Sequence, residues 1–273
     1  MPALLRAHGL RPRKGLGQNF LLDATALARI VDAADLTAQD AVVEVGAGVG
    51  NLTRLLAARA GQVLAVELDE NLVEILRLET AGLANVAVQQ GDVLATRDYG
   101  FAHLGYKVVG NLPYYITSAV LRHFLEGQPR PSLLVVTVQR EVAERIVAGP
   151  GEMSLLAVSV QFYGRPRVVA RVPAGAFYPS PKVDSAVLHI ETGGEAALAL
   201  PPGLEEKSFF RVVRAGFSQR RKMLRNALSG GLGQKPPVIE AALHRAEIDP
   251  RRRAETLSLE EWARVAGILY GGT

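Results

Sequence analysis

The sequence predicts an α/β fold, a mostly parallel sheet wound with helices, followed by a small all-helical domain. Three observations predict it. From about Asp40, short apolar runs alternate with amphipathic stretches, the pattern of buried strands joined by surface helices. The first of these runs passes from Val42 straight into Gly46-Ala47-Gly48-Val49-Gly50, a strand entering a glycine-rich turn. Past Gly193-Gly194 and Pro201-Pro202-Gly203 the strand-like runs stop, and apolar residues recur at helical spacing instead.

Taken in order, strands are expected at Ala41–Val45, Val63–Val66, Val86–Gln90, Tyr106–Val109, Leu133–Val138, Arg167–Val172 and Val183–Glu191. Helices are expected at Asn51–Ala60, Glu70–Glu79, Ser118–Leu125 and Arg140–Val147. Only a loop separates the last two strands, so an antiparallel hairpin should close the sheet. Beyond the Gly/Pro-rich linker, Phe209, Val212, Val213 and Phe217 mark one helix. Ser258-x-x-Glu261 is a capping-box signature opening the last helix, with Trp262, Val265, Ala266 and Leu269 as its buried face. The expected division is a sheet domain over residues 1–199 and a helical domain over 200–273. No internal repeat or low-complexity tract interrupts either.

With 273 residues, 48% of them hydrophobic and 21% charged, the chain has the balance of a globular protein with a sizeable core. No apolar run approaches the roughly 18 residues that span a bilayer, and the first residues do not read as a secretory signal. The expected location is the cytoplasm. There is no cysteine, which excludes disulfides, thiolate nucleophiles and thiolate metal sites. His8, His103, His123, His189 and His244 are scattered without ligand spacing, so no metal is expected. The net charge of +4 is unevenly spread: residues 1–20 carry +4, residues 21–202 carry −5 and residues 203–273 carry +5. Two cationic ends around an acidic middle suit a polyanionic partner, although arginine-rich surfaces also serve solubility.

The glycine-rich turn lets a ligand approach backbone that carries no Cβ. Position 51 is Asn, so the G-x-G-x-x-G spacing of a dinucleotide site is missing. The second strand ends at Glu67, where a carboxylate can accept from both ribose hydroxyls of an adenosyl group. Asp92 follows the third strand and can receive an adenine amino group. Gly46 and Gly48, Glu67 and Asp92, at successive strand ends, make a coherent nucleoside site, and S-adenosylmethionine is the expected cofactor. Each residue alone has a plainer reading, as a turn glycine or a helix cap.

After the fourth strand comes Gly110-Asn111-Leu112-Pro113-Tyr114. Asn or Asp, an apolar residue, Pro, then Tyr or Phe is the pattern of enzymes that methylate planar amino nitrogens. An exocyclic adenine amine is a poor nucleophile because its lone pair is delocalised. The Asn111 oxygen and the Leu112 carbonyl can each accept one N6–H and aim that lone pair at the methyl group. Pro113 fixes the backbone, and Tyr114 offers a face to a flipped base. Such catalysis is mainly positioning. Phe177, just before the last strand, is either the opposing wall of a base pocket or ordinary core. A class I, Rossmann-like methyltransferase sheet is the fold that accommodates all of these placements.

With these motifs in place, the sequence resembles the KsgA family of small-subunit ribosomal RNA adenine dimethyltransferases along nearly its whole length. The resemblance is carried by Lys14–Leu21, Glu44–Gly50, Glu67, Asp92, Asn111–Tyr114, Gln139–Glu141, Phe177–Ser185, and Phe217-x-x-Arg220-Arg221-Lys222-x-Leu224-x-Asn226. It implies that Gln18–Leu21 closes over S-adenosylmethionine, with Asn19, Leu21 and Asn111 among its contacts. It further implies four methyl transfers to two adjacent adenosines in a hairpin near the 3′ end of 16S rRNA, in a small-subunit assembly intermediate. The related erythromycin-resistance methylases act on the large subunit. They typically read Ser where this chain has Gly17, and lack the full Pro181–Ser185 text.

Phosphate contacts are expected from Arg11, Arg13 and Lys14, and from Arg211, Arg214, Arg220, Arg221, Lys222 and Arg225, with Arg251–Arg253 a weaker cluster. Nothing suggests a dimer. Two other readings compete: a methyltransferase for DNA adenine or a protein glutamine amide, and a non-catalytic assembly or RNA-binding factor on the same fold. The Phe217–Asn226 text argues against the first, and the intact Glu67, Asp92, Asn111 and Tyr114 argue against the second.

Overall fold

The computed structural model describes residues 2–96, 98–101, 105–192 and 198–271, without the side chains of residues 2–4 and Lys14. The expected His103, and part of the expected linker at 193–203, lie outside the described residues.

The chain runs α1 (Pro2–Ala7), β1 (Phe20–Leu21), α2 (Ala24–Ala33), β2 (Ala41–Val45), α3 (Asn51–Ala57), β3 (Gln62–Glu67), α4 (Glu70–Thr80) and β4 (Val86–Gln90). It continues through β5 (Lys107–Asn111), α5 (Thr117–Glu126), β6 (Leu133–Gln139), α6 (Arg140–Val147), α7 (Leu155–Tyr163), β7 (Gly164–Val172), β8 (Phe177–Tyr178) and β9 (Ser185–Thr192). Four helices end it: α8 (Glu206–Phe217), α9 (Leu224–Leu232), α10 (Pro236–Arg245) and α11 (Leu259–Tyr270).

Seven strands form one sheet in the order β4-β3-β2-β5-β6-β9-β7. The first five are parallel and β9 is antiparallel to β6, with Leu133 opposite Glu191 and Gln139 opposite Ser185. Every residue of β2 is buried, as are the first six of β6, which is what a parallel sheet covered on both faces requires. The strand order reverses between β2 and β5, so the crevice beyond their carboxyl ends is the place for a ligand in this architecture. A separate two-stranded ribbon pairs β1 with β8, Phe20 opposite Tyr178 and Leu21 opposite Phe177. The last two expected strands are neighbours at the sheet's end, β9 lying beside β7, but the chain between them is not a simple loop, since it carries β8 of the two-stranded ribbon.

The chain divides into two compact units. One comprises residues 1–144 and 165–194, the other 145–164 and 195–273. The second therefore takes in α7, which a linear boundary near residue 199 leaves with the sheet. The reason is packing within that unit: the Phe162 ring lies 4.9 Å from Phe209 and 4.8 Å from Phe210 of α8, between ring centroids. The α7 text, Leu-Leu-Ala-Val-Ser-Val-Gln-Phe-Tyr, is apolar almost all round and carries no helical stripe, so periodicity could not reveal it. The last helix opens as expected, with Ser258 Oγ accepting from the Glu261 backbone and the Glu261 carboxylate accepting from the Ser258 backbone. Trp262, Val265 and Ala266 are buried, and Leu269 only half so.

Candidate active site

The walls of the crevice follow from local backbone chemistry. After β2 the chain turns through Gly46 and Gly48 at φ 70° and 61°, where any other residue would be strained. This turn aims the Gly48 N–H at Glu67 Oε2, 2.8 Å away, while the Asp69 N–H donates to Glu67 Oε1 at 2.9 Å. Both oxygens of a carboxylate at the end of β3 are thus fixed, and each keeps a second lone pair for a ligand hydroxyl. Burial pushes the Glu67 carboxyl up from its ordinary value. Asp92, exposed after β4, accepts from the Leu94 N–H at 2.9 Å.

Asn111 is the last residue of β5, two beyond the expected strand end. At Gly110 a Cβ would lie 2.6 Å from the Val45 carbonyl oxygen, so only glycine lets β5 run this close to β2 and deliver Asn111 beside the glycine turn. The Asn111 amide donates from Nδ2 to the Asn19 carbonyl at 2.8 Å. Its Oδ1 has no donor among the described residues, and neither has the Leu112 carbonyl. The Leu112 N–H donates to Thr137 of β6 at 3.2 Å, which fixes the plane of the turn, and Pro113 holds φ at −57°. The Tyr114 hydroxyl lies 2.7 Å from Ser185 Oγ, and burial raises its pKa.

One cavity joins these groups: Asn19, Gly46, Gly48, Glu67, Asp92, Asn111, Leu112, Pro113 and Tyr114 all line it. Leu68 and Leu72 add an apolar wall. Residues 13–20 are strapped across by Asp69, the N-cap of α4. Gln18 Nε2 donates to its Oδ2 at 2.9 Å, and Arg13 Nη1 pairs with its Oδ1 at 3.2 Å. Two expected site residues fall elsewhere. Leu21 and Phe177 face each other across the β1–β8 ribbon, both buried in the apolar core, and neither lines this cavity, although Leu21 lines a small hollow with Gly46, Gly48 and Asn111. Leu21 contributes through its backbone, its carbonyl accepting from Asn51 Nδ2 at 3.2 Å.

Three contributors have no role in the sequence reading. Asp69 carries only the ordinary signal of an N-cap, while Glu44 and Ser185 stand inside motifs without a role of their own; Gln18 belongs to the segment expected to close over the cofactor. Glu44 is the most unusual of them. It is 1% exposed on β2, its Oε2 has no hydrogen-bond partner among the described residues, and it lines a small hollow beside Gly46, Gly48 and Asn111. Burial, with the Glu67 charge nearby, pushes its carboxyl to about 8. An unsatisfied buried acid costs stability unless a ligand completes it. S-adenosylmethionine, with a ribose diol and an adenine amine, fits a cavity that presents Glu67 and Asp92.

Comparison with known proteins agrees with this geometry. The sequence model of a family described as "Ribosomal RNA adenine dimethylase" matches residues 9–270. The chain belongs to that family. The dimethylase is 50% identical over 271 residues to "Ribosomal RNA small subunit methyltransferase A" of Dehalococcoides mccartyi strain CBDB1, covering 98% of this chain and 92% of that one. It is 46% identical to the protein of the same name from Moorella thermoacetica, covering 98% and 96%. Among solved structures, the 23S rRNA methyltransferase ErmE superposes with a TM-score of 0.73 at 30% identity, over 92% of this chain and 99% of that one. A dimethyladenosine transferase from Plasmodium falciparum does so with 0.77 at 23% identity, over 90% and 95%, and shows the shared fold. The protein is an S-adenosylmethionine-dependent rRNA adenine dimethyltransferase with a class I, Rossmann-like sheet.

The cations expected to grip RNA divide into groups. Arg220, Arg221 and Lys222 are exposed between α8 and α9, and no ion pair holds them among the described residues; Arg11 and Arg214 are alike in this. Arg211 is exposed with its guanidinium 5.5 Å from the centre of the Tyr270 ring. Arg225, by contrast, is paired with Glu240 at 2.5 Å, and Arg13 with Asp69. Arg252 forks onto both oxygens of Glu261 at 2.6 and 2.9 Å, the bidentate geometry of a structural pair. The Lys14 side chain lies outside the described residues.

Proposed function

We propose that this dimethylase methylates the N6 atoms of two adjacent adenosines in a hairpin near the 3′ end of 16S rRNA. Its substrate is a small-subunit assembly intermediate, met in the cytoplasm by a monomer. The observation that carries the reading is the polarity of Asn111. Because Nδ2 is committed to the Asn19 carbonyl, Oδ1 and the Leu112 carbonyl, on consecutive residues that both line the cavity, are left as two acceptors without a donor among the described residues, matching in number the two hydrogens of an adenine amino group. S-adenosylmethionine supplies a methyl group already activated on a sulfonium. The chain's own work is to hold the amine: two acceptors localise its lone pair, Pro113 fixes their spacing, and Tyr114 supports the base. Glu67, Asp92, Gly46, Gly48 and Asn19 hold the cofactor. Arg220, Arg221 and Lys222, with Arg211, Arg214 and Arg11, track RNA phosphates.

Support for a small-subunit substrate comes from the names of the 50% and 46% identical relatives. The 23S enzyme at 30% identity makes large subunits the informative control. Labelled methyl should pass from S-adenosylmethionine into small subunits lacking the modification, and digestion should release N6,N6-dimethyladenosine from 16S rRNA. Label confined to large subunits would overturn the substrate. No label anywhere, with S-adenosylmethionine still bound, would overturn the site assignment.

A further inference from the structure

We propose that Ser185 is a positioning residue for methyl transfer, fixing the Tyr114 ring through its hydroxyl. The inference rests on the reading above, in which Tyr114 supports the acceptor base.

The Tyr114 hydroxyl and Ser185 Oγ are 2.7 Å apart, a full-strength O–H···O bond. Ser185 is 0% exposed. Water therefore cannot take its place, and its direction is set by the backbone that carries it. That backbone is braced on several sides. Ser185 opens β9 opposite Gln139, the last residue of β6. One step outward, the Arg140 N–H donates to the Asp184 carbonyl at 3.0 Å, and Arg140 Nη1 stands 3.6 Å from Asp184 Oδ2. The other carboxylate oxygen, Asp184 Oδ1, accepts from the Ala174 N–H at 3.1 Å. Gln139-Arg140 and Asp184-Ser185, far apart in the chain, thus form one seam whose inner product is a single buried hydroxyl beneath Tyr114.

Tyr114 depends on it. The ring sits on a short turn, lines the cavity and is half-buried, and Ser185 is its only hydrogen-bond partner among the described residues. A platform speeds transfer only when its face is presented at one angle, because small displacements of the reacting groups are costly. Ser185 acts on the rate of transfer and not on cofactor affinity, since Glu67 and Asp92 stand at other strand ends.

The test is a double-mutant cycle of Ser185→Ala, Tyr114→Phe and the pair, assayed on unmodified small subunits with kcat and KM separated. Each single change should lower kcat about threefold to tenfold, the worth of one neutral hydrogen bond, and the double should fall no further. The dissociation constant of S-adenosylmethionine should stay unchanged. Full kcat in Ser185→Ala, multiplying losses in the double, or a loss confined to cofactor affinity would overturn the proposal. Should Ser185→Ala fail to fold, Tyr114→Phe removes the same bond from the cavity side. Fluorotyrosine-labelled protein without RNA gives an independent reading, its Tyr114 resonance assigned by its absence in Tyr114→Phe. That resonance should shift or broaden in Ser185→Ala, and an unmoved resonance overturns the positioning role. An inactive wild type with a moved resonance would fault the substrate reading alone.

Discussion

The crevice at the sheet edge and the arginine-rich surface of the helical unit use charge in opposite ways. In the crevice, Glu67 and Asp69 are nearly buried, and every oxygen is met by a backbone or side-chain donor. On the helical unit, Arg220, Arg221 and Lys222 are exposed and meet no carboxylate among the described residues, while Arg225, close by in sequence, and the more distant Arg252 are tied to Glu240 and Glu261. Preorganised, bonded groups fix where a ligand's atoms go. Exposed, unpaired cations supply attraction without a fixed geometry. Single substitutions should therefore act steeply in the first region and gradually in the second.

The steepest case is Asn111→Ala. It removes one of the two acceptors offered to the amine and releases the Asn19 carbonyl. Loss of one preorganised partner in a transfer site typically costs about 10²–10³ in kcat, so methyl transfer should fall by that order. Cofactor affinity should change less than kcat, because Glu67, its two N–H donors and Asp92 are untouched, although the Asn111 and Asn19 contacts are loosened. A variant that still methylates small subunits at the wild-type rate would break the account of the crevice.

Glu44 tests the same region through pH. Its carboxyl titrates near the ordinary 4.5 when unfolded and near about 8 when buried. Between those values the unfolded chain has released a proton that the folded chain still holds, so stability should fall as pH rises from about 4.5 to about 8, then level off. Each unit of displacement is worth about 1.4 kcal/mol, so the fall should be on the order of a few kcal/mol. Glu44→Gln should flatten this slope and melt at a higher temperature than the wild type at pH 8. Equal slopes in denaturant titrations from pH 5 to 8 would show that Glu44 is ionised in the fold.

The contrast also explains what could be read without a structure. Strands β2 and β4 and helix α6 lie at the expected residues because short apolar runs or an amphipathic stripe are bounded there by glycine or a charge change. Glu67, Asp92 and Asn111 were legible because strand ends put them on one edge whatever the packing. Phe177 was not, since an aromatic before a strand suits a pocket wall or a core equally, and only the folded chain shows it buried in the apolar cluster with Leu21. α7 was hidden because a helix buried on most sides has no stripe. Arg225 and Arg220 read alike in the sequence, and Glu240, from the next helix but one along the chain from α8, separates them only in three dimensions.

That separation gives the mildest and most discriminating prediction. Arg220→Ala with Arg221→Ala should leave the melting temperature unchanged and lower the salt dependence of RNA binding. With a slope of about 0.7–0.9 per phosphate contact, two lost contacts should reduce the log–log slope by about 1.4–1.8. Arg225→Ala should do the reverse: the partly buried Glu240 loses its partner, stability drops by up to about 1 kcal/mol, and the salt slope holds. Filter binding of a 16S hairpin between 50 and 300 mM salt (concentrations of the order over which such slopes are read) together with thermal melts distinguishes the two. If Arg225→Ala moved the slope as far as Arg220→Ala with Arg221→Ala, the pair with Glu240 would have to open on RNA. The helical surface would then be a set of equivalent cations, and not one sorted by its acids.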